Sequence, residues 1–226
     1  MHLIIIITNY GIHQRISQRM DRAYSPVDSL LEQAACITRR SKEAAGTLEP
    51  TESYKRGQIE ELISFANTNN LWVDLSHFKV TYMDKGGENE VFHDGKASVV
   101  KLNNFEYAGD DLENFFIRIS AHNQFFSNVP YHMIGFTYNS QHEFCAVLIQ
   151  PYIIAEREAT EDEIAEYMEA LGFEMDYIDE FHNEDYEVFD AVPNNVLYGI
   201  DDHLYFIDTQ IRLRPQTIPK KGCGCY

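Results

Sequence analysis

The segment from Tyr186 to Asp208 carries three polar side chains whose types could do chemistry, Asp190, Asn195 and Asp208. A carboxylate can act as a general base, and carboxylate and amide oxygens are ligands that suit Mg²⁺. Asp190 and Asn195 flank a Pro-bearing loop, and Asp208 ends the β-type run 204–207. A strand, a loop and a hairpin would bring the three together. The alternative is structural, because Asp, Pro and Asn also favour turns and Asp208 could cap a strand end.

The spacing of these residues resembles the catalytic loop of the protein-kinase superfamily, in which an Asp, four residues and an Asn precede the metal-binding Asp of the D-F-G element. Val188-Phe189 stands in place of the usual His-Arg, and Thr209-Gln210 in place of the usual Phe-Gly. The resemblance is therefore to the superfamily and not to ordinary protein kinases. It implies that Asp190 is the catalytic base and that Asn195 and Asp208 hold Mg²⁺.

Upstream, a glycine-bearing hairpin precedes a strand that ends in a lysine. Apolar alternation from Phe78 leads into a turn containing Gly86 and Gly87, and the third strand of the series carries Lys101. This order resembles the glycine loop and the strand-three lysine that cover the phosphates of ATP, although two adjacent glycines replace the usual three. The structural alternative is a plain turn and a solvated lysine. We expect the Lys101 charge to serve the phosphates and not the fold, so Lys101→Ala should weaken nucleotide binding and leave stability nearly unchanged.

The stretch from Gly109 to Phe125 predicts a helix with an apolar face. Its place in the order is that of the kinase regulatory helix, whose glutamate pairs with the strand lysine. The resemblance therefore implies a pair between Glu113 and Lys101. His122 and Asn123 are the rival polar contact for the lysine, with helix capping as the structural alternative that we prefer for them.

Two further strands lead into an extended segment fixed by Pro151. This segment resembles the kinase hinge, where backbone groups pair with adenine, and it implies that Gln150 and Tyr152 contact the nucleotide. Thr160 and Glu163 then form a capping-box pattern that predicts a helix ending at Gly172.

The 226-residue chain has a formal net charge of −18, which disfavours binding to nucleic acid. Between Glu156 and Asp190, 15 acidic residues face one basic residue, and the simplest interpretation is a solvated surface. Its four cysteines are too few and too irregular for a disulfide framework, and its N-terminal apolar run is too short for a signal peptide or a membrane span. We expect a cytoplasmic protein that does not bind membranes.

The predicted fold class is α+β, a protein-kinase-like two-lobed fold with an antiparallel N-lobe sheet and a minimal, truncated C-lobe. We divide the chain into an N-terminal strand and helix extension (1–50) and a minimal kinase-like domain (51–226). Within that domain, 78–153 form the N-lobe and hinge and 154–226 the reduced C-lobe. A strand at Leu3–Thr8 and a helix opening at Ser25-Pro26 are predicted for the extension.

Taken together, the elements from 78 to 208 resemble the small kinase-like domains of polyvalent proteins in bacterial mobile elements and phages. The resemblance implies ATP and Mg²⁺ as cofactors, and a nucleotide and an unknown acceptor as partners. Only 18 residues follow Asp208, so a protein substrate would dock elsewhere than on the usual helices. Four functions stay open: phosphotransfer to a protein or small-molecule hydroxyl, adenylate transfer, nucleotide binding without turnover, and an acidic interaction module.

Overall fold

The structure is a computed structural model, and it describes residues 28–45, 52–109 and 111–214. The helices of these ranges are α1 (Asp28–Ala45), α2 (Glu52–Asn69), α3 (Glu113–Phe125) and α4 (Glu161–Ala170). The first strands are β1 (Thr81–Lys85), β2 (Asn89–His93), β3 (Ser98–Asn103), β4 (His132–Tyr138), β5 (Phe144–Pro151) and β6 (Ala155–Glu158). The remaining strands are β7 (Glu174–Tyr177), β8 (Glu180–His182), β9 (Tyr186–Phe189), β10 (Val196–Gly199), β11 (Leu204–Phe206) and β12 (Gln210–Leu213).

Strands β1 to β5 form one antiparallel sheet in the order β1-β2-β3-β5-β4. The predicted hairpins at 85–89 and 93–96 are confirmed, and Gly86 N–H closes the first by donating to Asn89 O at 2.9 Å. Strand β1 begins at Thr81 and not at Phe78, because residues 75–77 form a 3₁₀ turn. Asp74 caps that turn by accepting from Ser76 N–H. The sheet therefore places the glycine turn at the end where β3 leads toward α3.

Helices α1, α2 and α3 cover one face of this sheet and share a core with it. Leu62 and Ala66 of α2 are fully buried, as the helical spacing of its apolar residues predicts. Phe115 and Phe116 of α3 pack into the same core. The predicted strand at 3–8 and the N-cap at Ser25 lie outside the described residues, and the division of the chain near residue 50 stays a prediction.

The elements after β5, together with the end of α3, build a second core around Phe126, Phe181 and Phe206. Strands β11, β10 and β6 form one antiparallel sheet, and β12, β9, β8 and β7 form another. Helix α4 carries the predicted capping box between Thr160 and Glu163. Phe126, just after α3, stacks on Phe206 of β11 with ring centroids 4.3 Å apart. The end of α3 is thereby fixed against the strand that leads to Asp208.

The architecture is mixed α+β with antiparallel sheets, as the sequence predicts in its coarse form. Within the described ranges, no helix combines the length and the apolar character that crossing a bilayer requires. The Cys223 and Cys225 tail lies outside those ranges.

Candidate active site

Two neighbouring strands bring the segments of Asp190 and Asp208 together. Strand β9 ends one residue before Asp190, and its last residue, Phe189, pairs with Gln210 at the start of β12. Asn195 joins them through its backbone, because Ile207 N–H donates to Asn195 O at 2.9 Å. The expected convergence of the strand, the loop and the hairpin is thus formed by ordinary backbone pairing.

The Asn195 side chain is oriented by the loop itself. Its Nδ2 donates to the backbone O of Asp190 at 3.0 Å, and its amide oxygen, which accepts from Asn194 Nδ2 at 3.4 Å, is the atom that could serve as a ligand. Asp190 has φ 60°, in the left-handed region that Asp and Asn adopt more readily than other non-glycine residues. The Asp190 side chain is exposed, and its carboxylate has no hydrogen-bond partner among the described residues. The loop therefore presents a carboxylate and an amide oxygen from a fixed backbone.

Lys101 of β3 reaches across to the residue after β11. Its Nζ donates to Asp208 Oδ1 at 3.0 Å and to the backbone O of Ile207 at 3.0 Å. Burial disfavours the ammonium, but Tyr131 and the Asp208 carboxylate favour it more strongly, so the pKa of Lys101 lies above its ordinary value. The side chain is only 5% exposed. The structural alternative of a solvated lysine is therefore wrong, and so is the exposed position on which the small expected effect of Lys101→Ala on stability depended.

His122, which the sequence offered only as a rival contact for Lys101, and Tyr131, which it did not assign to the site, hold the backbone in front of Asp208. His122 of α3 donates from Nε2 to Phe206 O at 2.8 Å, and Tyr131 donates from its hydroxyl to Ile207 O at 2.8 Å. Asn123 fixes Tyr131 in turn, because its side chain donates to Tyr131 O and accepts from Tyr131 N–H. The expected capping role of His122 and Asn123 is wrong, since both side chains bind outside their own helix.

The buried position of His122 predicts a pH dependence of stability. Burial lowers the pKa of His122 to about 4, whereas an unfolded histidine titrates near pH ~6.5. The unfolded chain then binds more protons between these values, so stability is lost as the pH falls from about 6.5 toward 4, by about 1.4 kcal/mol per pH unit. We expect His122→Gln to remove this contribution, measured by urea unfolding at several pH values. A difference in unfolding free energy between variant and parent that stays constant with pH would contradict this. His77→Gln, at an exposed position, is the control that should keep the parent's slope.

The predicted pair between Glu113 and Lys101 is not formed, and the structure corrects it. Helix α3 begins at Glu113, four residues after Gly109, and Asp111 precedes it by accepting from Glu113 N–H at 3.0 Å. Glu113 then lies in the first turn and accepts from Arg39 Nε of α1 at 2.7 Å. Its part in nucleotide binding is not supported by this geometry, since the ion-pair partner of Lys101 among the described residues is Asp208.

The glycine hairpin lies next to the segment that carries Asp208. A Cβ at Gly87 would meet the ring of Tyr107, an exposed side chain, so a larger residue there would displace that ring and not the backbone. At the turn, Glu88 forms an ion pair with Arg118 of α3. A cavity of about 30 Å³ lies behind the hairpin and is lined by residues that include Glu88, Arg118 and Asp208.

The segment predicted as the hinge does not leave the polar groups of Gln150 and Tyr152 free for a nucleotide in the way we expected. Strand β5 runs two residues past Ile149 to Pro151, so Gln150 is buried and its amide donates to Val129 O at 3.0 Å. Tyr152 N–H donates to Ala97 O at 2.8 Å. Ile153 N–H, by contrast, has no hydrogen-bond partner within the described part of the chain.

A metal would be held here by few protein groups. The described residues contain no cluster of three or more His, Cys, Asp or Glu that could hold a metal ion. Asp208 Oδ2 and the Asn195 amide oxygen are the atoms that the geometry leaves to a cation. Mg²⁺ is usually held by one or two such protein oxygens together with waters and substrate phosphates, so this donor set fits it.

Most of the chain matches a known family. The model of the family described as serine/threonine/tyrosine kinases found in polyvalent proteins matches residues 55–215. This chain belongs to that family of kinases, as the order of its motifs predicts. No curated protein matches it in sequence.

Proposed function

We propose that this chain is an ATP- and Mg²⁺-dependent phosphotransferase that acts on a hydroxyl of a protein or small molecule. One observation carries the proposal: Lys101 of the five-stranded sheet bonds Asp208 at 3.0 Å. A cation for phosphates and a carboxylate for metal thus meet between the two cores. Family membership supports kinase-like phosphotransfer in general, and the contacts of the individual residues support the finer assignment.

We assign the elements to two lobes. The five-stranded sheet with α1 to α3 would form the nucleotide lobe, and the elements from β6 onward a reduced second lobe. Supporting this division, the two main cores are separate clusters of buried residues. Lys101 and Tyr131 link the first to the strand before Asp208.

The nucleotide would lie between these lobes, with its base at the segment after β5 and its phosphates beneath the glycine hairpin. Ile153 N–H is the donor we assign to adenine, in place of Tyr152, whose N–H is already bonded to Ala97. Lys101 would bind the α and β phosphates, while backbone N–H groups at Gly86 and Gly87 approach them closely. Gln150 would shape the pocket without a direct polar contact.

Asp190 and Asp208 would have separate tasks. Asp190 would accept the proton of the attacking hydroxyl, since its carboxylate is exposed and free of other bonds. Asn195 and Asp208 would hold Mg²⁺, which bridges and neutralises the phosphate oxygens when bound. Lys101 keeps one Asp208 oxygen oriented and leaves the other for the metal.

The test is a thermal unfolding series with ATP, with and without Mg²⁺. A ligand that binds only the folded state at about 100 times its Kd adds about 2.7 kcal/mol of stability, roughly a 5–10 °C rise in Tm for a chain of this size. We expect that rise with MgATP, and loss of its Mg²⁺-dependent part in Asp208→Asn. The control Asp162→Asn changes an exposed carboxylate on α4 and should behave as the parent does. A folded parent with no shift at millimolar MgATP would refute the proposal.

The acceptor can be sought without knowing its identity. Incubating the protein with MgATP and measuring intact mass, first alone and then with cell extract fractions, detects the group that is transferred. A mass increase by phosphate supports phosphotransfer, whereas an increase by adenylate would replace it with the alternative transfer reaction.

A further inference from the structure

Helix α3 presents an arginine, not an acid, toward the site. Arg118 Nη2 donates to both carboxylate oxygens of Glu88 at 3.2 and 3.1 Å, and its Nη1 donates to Gln210 Oε1 at 3.2 Å. The Arg118 and Glu88 side chains are 11% and 14% exposed. One guanidinium therefore joins α3 to the tip of the glycine hairpin and to the strand that follows Asp208.

This ion pair lies at the wall of the site and limits its volume. Glu88, Arg118, Tyr131 and Asp208 all line the cavity of about 30 Å³, which has room for roughly two water molecules. A triphosphate is too large for this recess while the hairpin stays in this position. Phosphates that reach Arg118 through it would therefore displace the hairpin tip and break the contact between Glu88 and Arg118.

We propose that Arg118 is a second phosphate-binding cation of this site and that the Glu88 carboxylate competes with the phosphates for it. This inference rests on the proposed function, which supplies the phosphate ligand. Glu88 thus acts as an internal competitor that holds the glycine hairpin closed until a polyphosphate displaces it.

The chemistry of the pair supports such an exchange. A guanidinium offers parallel N–H donors that match a carboxylate or a phosphate equally well. A largely buried ion pair adds little net stability, because desolvation of the two charges offsets their attraction. Exchanging the carboxylate for a phosphate oxygen keeps Arg118 paired, so the cost of breaking the original contact is recovered in the new one.

The test compares three proteins by calorimetry: the parent, Glu88→Gln, and the double variant Glu88→Gln with Arg118→Gln. The double variant leaves no unpaired charge at the site, so it is expected to fold. Each protein is titrated with MgATP, with tripolyphosphate and with adenosine. The matched control is the same pair of substitutions at Glu163 and Arg157, which form a separate arginine–glutamate ion pair and do not line the cavity.

We expect Glu88→Gln to bind MgATP and tripolyphosphate at least about threefold more tightly than the parent, because Arg118 is then released. The double variant should bind both about tenfold or more weakly than Glu88→Gln, since hydrogen bonds from a charged donor are lost. Adenosine binding, which involves no phosphate, should be equal in all three, and the control pair should leave every affinity unchanged.

Other outcomes overturn the inference or the function separately. If the parent binds MgATP but Glu88→Gln binds it no more tightly, or if the double variant loses adenosine binding to the same degree, Arg118 is structural. If tripolyphosphate shows the expected order and MgATP does not bind, the proposed function fails and the anion site stands. If neither ligand binds the parent, both fail.

Discussion

Asp190→Asn is expected to lower phosphotransfer by about 10²- to 10⁴-fold, the usual contribution of one acid-base group, while MgATP binds nearly as it does to the parent. The substitution should not disturb the loop, because Asn also adopts the left-handed backbone of this position. The Asn195 amide bonds the backbone of residue 190 and not its side chain. Turnover is measured as ATP consumption with water or an identified acceptor, and binding by calorimetry.

Asp190→Ala is the companion variant, since alanine at φ 60° adds backbone strain of about 1 kcal/mol or more. It should lose the same activity as Asp190→Asn but be less stable. Full turnover in Asp190→Asn would show that Asp190 is a turn residue, as its sequence context also allows.

Lys101→Met is expected to weaken MgATP binding by about 10- to 100-fold, the loss of hydrogen bonds from a charged donor, and to leave the unfolding free energy within about 1 kcal/mol of the parent. Methionine fills a similar volume, and replacing a buried charge by an apolar isostere is often neutral. Tyr131 keeps its bond to Ile207 O in this variant. Calorimetry and urea unfolding provide the two measurements.

Lys101→Ala separates packing from charge. It should bind MgATP as poorly as Lys101→Met and also lose about 2 kcal/mol or more of stability, because truncation leaves a cavity at a buried position. Normal MgATP affinity in Lys101→Met would mean that Lys101 serves only to hold the strand before Asp208.

The order of hairpins and strands could be predicted because it depends on local signals. Glycine turns, apolar alternation and the Thr160 capping box are properties of a few neighbouring residues. The spacing of Asp190, Asn195 and Asp208 is likewise local, since one loop and one hairpin connect them. These parts of the site are visible in the sequence itself.

The contacts of Lys101 and Glu113 could not be predicted in the same way. The residue before α3 is fixed by a tertiary contact, since Leu112 N–H donates to Gln58 of α2, and a shift of four residues moves Glu113 from the interior of a helix to its first turn. Its partner Arg39 comes from α1, whose packing is tertiary. The burial of Lys101 likewise depends on Tyr131 and on β11, both distant in sequence.

Arg118 and His122 carried a signal that helical periodicity could have detected. They are four residues apart on α3, and Phe115 lies three residues before Arg118. This spacing puts both polar residues on a buried face, where a charged or polar side chain requires a partner. The signal in the sequence for Tyr131 as a site residue was weaker, because a tyrosine at the start of a strand is usually explained by the packing of its apolar ring.

The pairing of β9 with β12 has a mechanical consequence. Phe189 and Gln210 flank the two carboxylates and are neighbours in one ladder, so the spacing of Asp190 and Asp208 is set inside a single sheet. The contacts of Lys101 and Arg118 instead bridge from β3 and α3 to the chain around Asp208. If the two cores open as the proposed lobes, the contacts of Lys101 and Arg118 would break while the distance between the two carboxylates stayed constant. Under the proposed function, nucleotide entry and acceptor alignment would then depend on different motions.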